Sequence, residues 1–205
     1  MSTRTMEATT PPEVARAARI RTAKPNGWWG MAIFIATEAT LFSVFIAAYF
    51  YLRFKAVEWP PPAAAEPKPL VPSILSAVLV STSIPMQIAS SAAARGRVWA
   101  TRLGLLAAWF VGSGYLAMQM YRFVMQVQAY PPSEDAYDSI LHTLSGGHHA
   151  HVLLGLLMNM WLLLRLARGL TNYRAIGVQA VTLYWHFVNV LAVAVLLTVQ
   201  SPAFA

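Results

Sequence analysis

Five apolar stretches, at residues 28–52, 70–94, 101–125, 139–166 and 175–200, take up most of this chain of 205 residues. As an α-helix rising about 1.5 Å per residue, each reaches across the roughly 30 Å of hydrocarbon in a bilayer. Hydrocarbon offers a backbone no hydrogen-bond partners, so apolar runs of this length become helices. Charged residues follow the same sorting. They make up 11% of the chain, against about 25% in an ordinary soluble domain, and they crowd between the stretches. The predicted fold is all-α, a polytopic membrane helix bundle with five transmembrane helices. One transmembrane domain covers 28–205 behind a polar, basic tail at 1–27, with no internal repeat.

The formal charge is +7, and its placement points to membrane topology, not to nucleic acid. Arg4, Arg16, Arg19, Arg21 and Lys24 precede the first stretch. Arg95, Arg97 and Arg102 follow the second, and Arg165, Arg168 and Arg174 separate the fourth from the fifth. The alternate side holds Arg53, Lys55, Lys68 and Arg122, so the split is eleven to four. Positive charge stays on the cytoplasmic side, which predicts a cytoplasmic N-terminus and an external C-terminus. The first stretch is longer than a cleavable leader needs. The tail is expected to be solvated, with a short basic interfacial helix over "EVARAARIRTAK" as the alternative. "EWPPPAAAEPKPLVP" (58–72) is expected to be external and extended, and "YPPSED" (130–135) to break the next external connection.

Polar and small residues recur at helical spacing inside the stretches: Ser73, Ser76, Ser83, Gln87 and Ser90; then Gly112, Tyr115, Gln119, Arg122 and Gln126; then His148, His151, Gly155 and Asn159; then Gln179, Thr182, His186 and Asn189. Such stripes face neighbouring helices, because an amide facing lipid has no partner. Pro85 is expected to kink the second span, with the hydroxyls of Ser81 and Thr82 near the freed carbonyls.

Glu38 lies ten residues into the first stretch, roughly 15 Å deep. Its helical neighbours Phe34, Ile35, Leu41, Phe42 and Phe45 offer no hydrogen bond, so its partner must come from another helix or from water. Similar counts place His148, His151 and His186 near the same depth, where one carboxyl group and several imidazoles could meet. His148 and His151, at i and i+3, also suit metal ligands on one helix face. A redox site, however, needs more converging carboxylates or axial ligands than this one acid supplies. Gly147 and Gly155 flank His151 at i±4 and leave room for a close helix. Helix-bridging hydrogen bonds with a proton role are the reading preferred here, with no metal and no catalytic residue assigned. The chain has no cysteine, which excludes disulfides, thiolate metal sites, a cysteine-bridged copper pair and c-type haem attachment.

Three segments resemble one family. "WWGMAIFIATEATLFSVFIAAYFYLR" (28–53) is similar to the glutamate-bearing helix of cytochrome c oxidase subunit III. "GHHAHVLLG" (147–155) resembles its His-x-x-His-Val-x-x-Gly motif, matched by His148, His151, Val152 and Gly155. "YWHFVN" (184–189) resembles its Tyr-Trp-His-Phe-Val-Asp signature, matched by Tyr184, Trp185, His186, Phe187 and Val188, with Asn189 in the aspartate's place. Order and spacing agree too. The resemblance implies a subunit of a haem–copper terminal oxidase of the aerobic respiratory chain, in its short five-helix bacterial form. It implies that haem and copper belong to partner subunits I and II and that this chain holds no redox centre. It further implies that the chain stabilises subunit I, binds membrane lipid and supports proton uptake. Glu38 corresponds to the family's buried glutamate, and His148, His151 and His186 to its motif histidines. The expected location is a bacterial plasma membrane.

The departures are specific. The longer family members have seven helices, and this chain begins at their third. Arg122 stands where the pattern has glutamate after Gln-x-x, Gln179 where glutamate is common, and Asn189 for aspartate. An accessory subunit of nitric oxide reductase, from the same family, is therefore the alternative. A small proton-coupled transporter fits less well, since it would be expected to show repeats and paired broken helices.

Overall fold

The structure, a computed structural model, describes residues 25–62, 69–133 and 135–204. The tail up to residue 24, including the basic segment 13–24, and residues 63–68 of the proline-rich connection lie outside the described residues. Among the described residues there are six helices: α1 (Asn26–Lys55), α2 (Leu70–Ser81), α3 (Ser83–Ala94), α4 (Val98–Ala129), α5 (Ala136–Leu166) and α6 (Asn172–Val199). Ser201–Phe204 adds a short 3-10 turn. With α2 and α3 joined end to end, five helices are long and apolar enough to cross a membrane, and no strand occurs among the described residues. Most ends overrun the apolar stretches by a few residues; Asn26 and Gly27, for example, already belong to α1.

Helix ends follow local chemistry. An oxygen of the Asp135 side chain accepts the Tyr137 N–H at 2.6 Å and starts α5, and the Thr171 hydroxyl accepts the Arg174 N–H at 3.3 Å and starts α6. Gly96 and Gly169, at φ 71° and 94°, make the left-handed turns after α3 and α5.

The second span is interrupted just before Pro85, as expected of a proline that removes the N–H for the Ser81 carbonyl. The break falls at Thr82, and Pro85 sits in the first turn of α3, where its missing N–H is least needed. The Ser81 hydroxyl donates to the Val78 carbonyl at 2.7 Å and the Thr82 hydroxyl to that of Leu79. These carbonyls belong to the last turn of α2, not to the gap that proline leaves.

α6 is the central helix and packs against α1, α2, α3 and α5, while α1 packs along α5 and α6. α4 packs against α2, α3 and α5. Without a hydrophobic drive between helices in lipid, close approach depends on small residues. A Cβ on Gly104 would stand 2.6 Å from the Pro85 carbonyl oxygen, so α4 lies directly on the α3 backbone. Trp185 reaches from α6 into the space between α4 and α5. A Cβ on Gly155 would be 2.7 Å from its ring, and one on Gly112 would be 3.1 Å away.

Candidate functional site

The acid of α1 finds its partner on α5. Glu38 Oε2 lies 2.8 Å from His151 Nε2, the one ion pair among the described residues. Both side chains are largely shielded, at 20% and 15% exposed. The phenyl ring of Phe42, one turn beyond Glu38, meets the His151 imidazole edge-on at 5.1 Å. Phe42 also fills the space left by Gly147, where a Cβ would be 3.3 Å from the ring. From α6, the Tyr184 hydroxyl donates to the His151 carbonyl at 3.2 Å, and its ring stacks on Phe34 of α1. Three helices therefore close around one carboxyl–imidazole contact.

The proton count of that contact follows from its geometry. His151 Nδ1 lies 2.7 Å from the Gly147 carbonyl oxygen, which only accepts, so the hydrogen-bond network assigns a hydrogen to Nδ1. Nε2 is then either the bare nitrogen of a neutral imidazole accepting from a protonated Glu38, or the N–H of an imidazolium donating to a carboxylate. Both forms hold the same number of protons and no net charge, which limits the cost of an acid inside hydrocarbon. A proton can move between Oε2 and Nε2 without changing that balance.

The other motif histidines are not part of this pair. His148 is turned to α4, where its Nε2 stands 3.4 Å from the Tyr115 hydroxyl, and Gln119 donates to that hydroxyl at 3.3 Å. His186 faces α3. Its Nε2 lies 3.1 Å from Gln87 Oε1 and its Nδ1 3.2 Å from the Ser83 hydroxyl, which accepts from the Asn189 amide at 2.6 Å. The expected meeting of one carboxyl group with several imidazoles is thus reduced to Glu38 with His151. The rest of the Tyr184–Asn189 segment builds the core: Trp185 is fully buried and donates from Nε1 to the Thr82 hydroxyl at 2.8 Å. Val188 is also fully buried, and Phe187 packs partly buried beside it.

Residues 20–201 match the sequence profile of cytochrome c oxidase subunit III. The chain belongs to the cytochrome c oxidase subunit III family. A probable cytochrome c oxidase subunit 3 of Nocardia farcinica is 31% identical over 174 residues, covering 83% of this chain and 85% of the relative. The subunit 3 of Synechocystis is 30% identical over 179 residues, with 83% and 73% covered. That of Drosophila melanogaster is 27% identical over 181 residues, with 83% and 67% covered. As a subunit III, the chain is a multi-pass membrane protein that associates with other oxidase subunits.

The departures of this subunit III from the family pattern occupy different settings. Asn189 is buried and serves Ser83, Gln179 is half-buried on α6, and Arg122 lies along the side of a cleft beside α4. Sequence reasoning did not single out Tyr115 or Thr82 as partners of the signature residues. It also missed a cluster at the far end of α1. There Tyr49 accepts from Trp59 Nε1 at 3.1 Å and lies 3.2 Å from the Ser201 hydroxyl, which accepts from Arg53 at 2.8 Å. The position of Arg53 among apolar residues was a signal, though it was read only as topology.

Proposed function

We propose that this chain is the subunit III of a haem–copper terminal oxidase that reduces oxygen to water with proton translocation in a bacterial plasma membrane. In that role it packs against subunit I and associates with subunit II, stabilises subunit I and supports proton uptake. Haem and copper reside in the partners, and the N-terminus is cytoplasmic. The observation that carries the reading is the 2.8 Å contact of Glu38 with His151 between α1 and α5, within a domain of this family. Gln87, exposed beside His186, supports the docking of a protein neighbour, since lipid would leave its amide unsatisfied.

Purification through a tag on this chain tests the proposal. A large haem-containing subunit should copurify, and the complex should consume oxygen. Recovery of a haem-free partner or of none counts against it, and a complex consuming nitric oxide in place of oxygen assigns the chain to a reductase. Loss of the chain should lower proton uptake during turnover. Unchanged uptake would remove the proton role.

A further inference from the structure

Among the described residues α4 and α6 do not pack directly on each other. Trp185 fills the space between them at the level of Gly112. Past it, toward the end of the bundle that carries Tyr130 and Gln200, a cleft of about 460 Å³ remains between α2, α4, α5 and α6. Its floor is at Tyr115 and His148. His148 is twelve residues from the start of α5, so the floor is roughly 18 Å into the span.

The lining mixes apolar side chains, Leu141, Val195 and Leu196 among them, with polar and charged ones. Gln119, Arg122 and Gln126 line one wall, and Ser145, His148 and His149 the other. Arg122 makes no ion pair among the described residues, and no described Asp or Glu lines the cleft. Acyl chains would leave the guanidinium of Arg122 and the amide of Gln126 unpaired. Water would satisfy them, and at roughly 30 Å³ each on the order of ten or more molecules fit.

We infer that this cleft is a water-filled vestibule, closed at Tyr115 and His148 and open at the end of the bundle carrying Tyr130 and Gln200, which brings one aqueous phase to Ser145 and His148 inside the span and admits small anions in preference to cations. Arg122, unpaired along the wall, supplies the preference. His148 is one helical turn from His151, so water comes within a turn of the Glu38 contact. The inference rests on the lining alone and stands whether or not that contact carries protons.

The absence of cysteine makes the test direct. Single-cysteine variants are assembled with their partner subunits and exposed, in spheroplasts and in inverted vesicles, to membrane-impermeant methanethiosulfonates bearing either a sulfonate or a trimethylammonium group. Ser145→Cys faces the cleft, whereas Ala150→Cys is exposed on the same helix outside it. Ser145→Cys is expected to react from one membrane face while Ala150→Cys does not, and Gln119→Cys serves if Ser145→Cys fails to assemble. The sulfonate reagent should be favoured at Ser145→Cys by on the order of tenfold, a preference lost in Arg122→Gln. Cleft cysteines that react only with a lipophilic maleimide, or no faster than Ala150→Cys, overturn the vestibule. A charge preference unchanged by Arg122→Gln overturns the anion selectivity.

Discussion

Glu38 and His151, 113 positions apart in the chain, place Oε2 and Nε2 2.8 Å from each other and join α1 to α5. Because Gly147 holds the hydrogen on Nδ1, Nε2 needs a donor whenever the imidazole is neutral. Glu38→Gln offers an amide N–H and should leave assembly intact. Glu38→Leu offers none and should weaken the contact by about 1–2 kcal/mol, the range for interhelical polar contacts in membranes. Thermal release of the chain from the purified complex measures both, and equal behaviour of the two variants would mean that the hydrogen bond contributes nothing to assembly.

Trp185 depends on the missing side chain of Gly155. Gly155→Ala puts a methyl group 2.7 Å from the ring and should cost about 1–3 kcal/mol through overpacking. Gly114, with nothing within 4 Å of the same added atom, is the control, and Gly114→Ala should be neutral within the chain. The amount of chain retained in membranes after mild heating separates the two.

Thr82 accepts the Trp185 N–H at 2.8 Å at the break between α2 and α3. Thr82→Val leaves that N–H buried and unpaired at a cost of about 1 kcal/mol or somewhat more. Thr82→Ser keeps the hydroxyl and should approach the parent. If valine matches serine in thermal release of the chain, Trp185 is held by packing alone.

The eleven-to-four distribution of Lys and Arg predicts a cytoplasmic N-terminus. Ser133 and Ala94 are exposed at opposite ends of the bundle. A cysteine at Ser133 should react with an impermeant reagent in intact cells, and one at Ala94 only in inverted vesicles. The reverse pattern would invert the topology.

That His151 lies level with Glu38 was legible in the sequence, but direction around each helix was not. Counting residues placed His148, His151 and His186 at similar levels. At 3.6 residues per turn, His148 and His151 differ by about 60° around α5. That angle sends one to Tyr115 of α4 and the other to Glu38 of α1. His186 goes to Ser83 and Gln87 because α6 presents it to α3. The break beside Pro85 was legible, but the meeting of the Trp185 N–H with the Thr82 hydroxyl there was not, because neither residue's local pattern foretells the other.

By itself the sequence determined five spans and the need of Glu38 for a partner beyond its own helix. Its three motif segments also carried the family. Each of these depends on composition or on the cost of placing a residue in hydrocarbon, which is paid residue by residue. Only the tertiary structure decided which imidazole meets Glu38, that Gly112 and Gly155 make room for one indole, and that a polar cleft remains where α4 and α6 stand apart. These depend on helix rotation and spacing, which the packing of all five spans settles together.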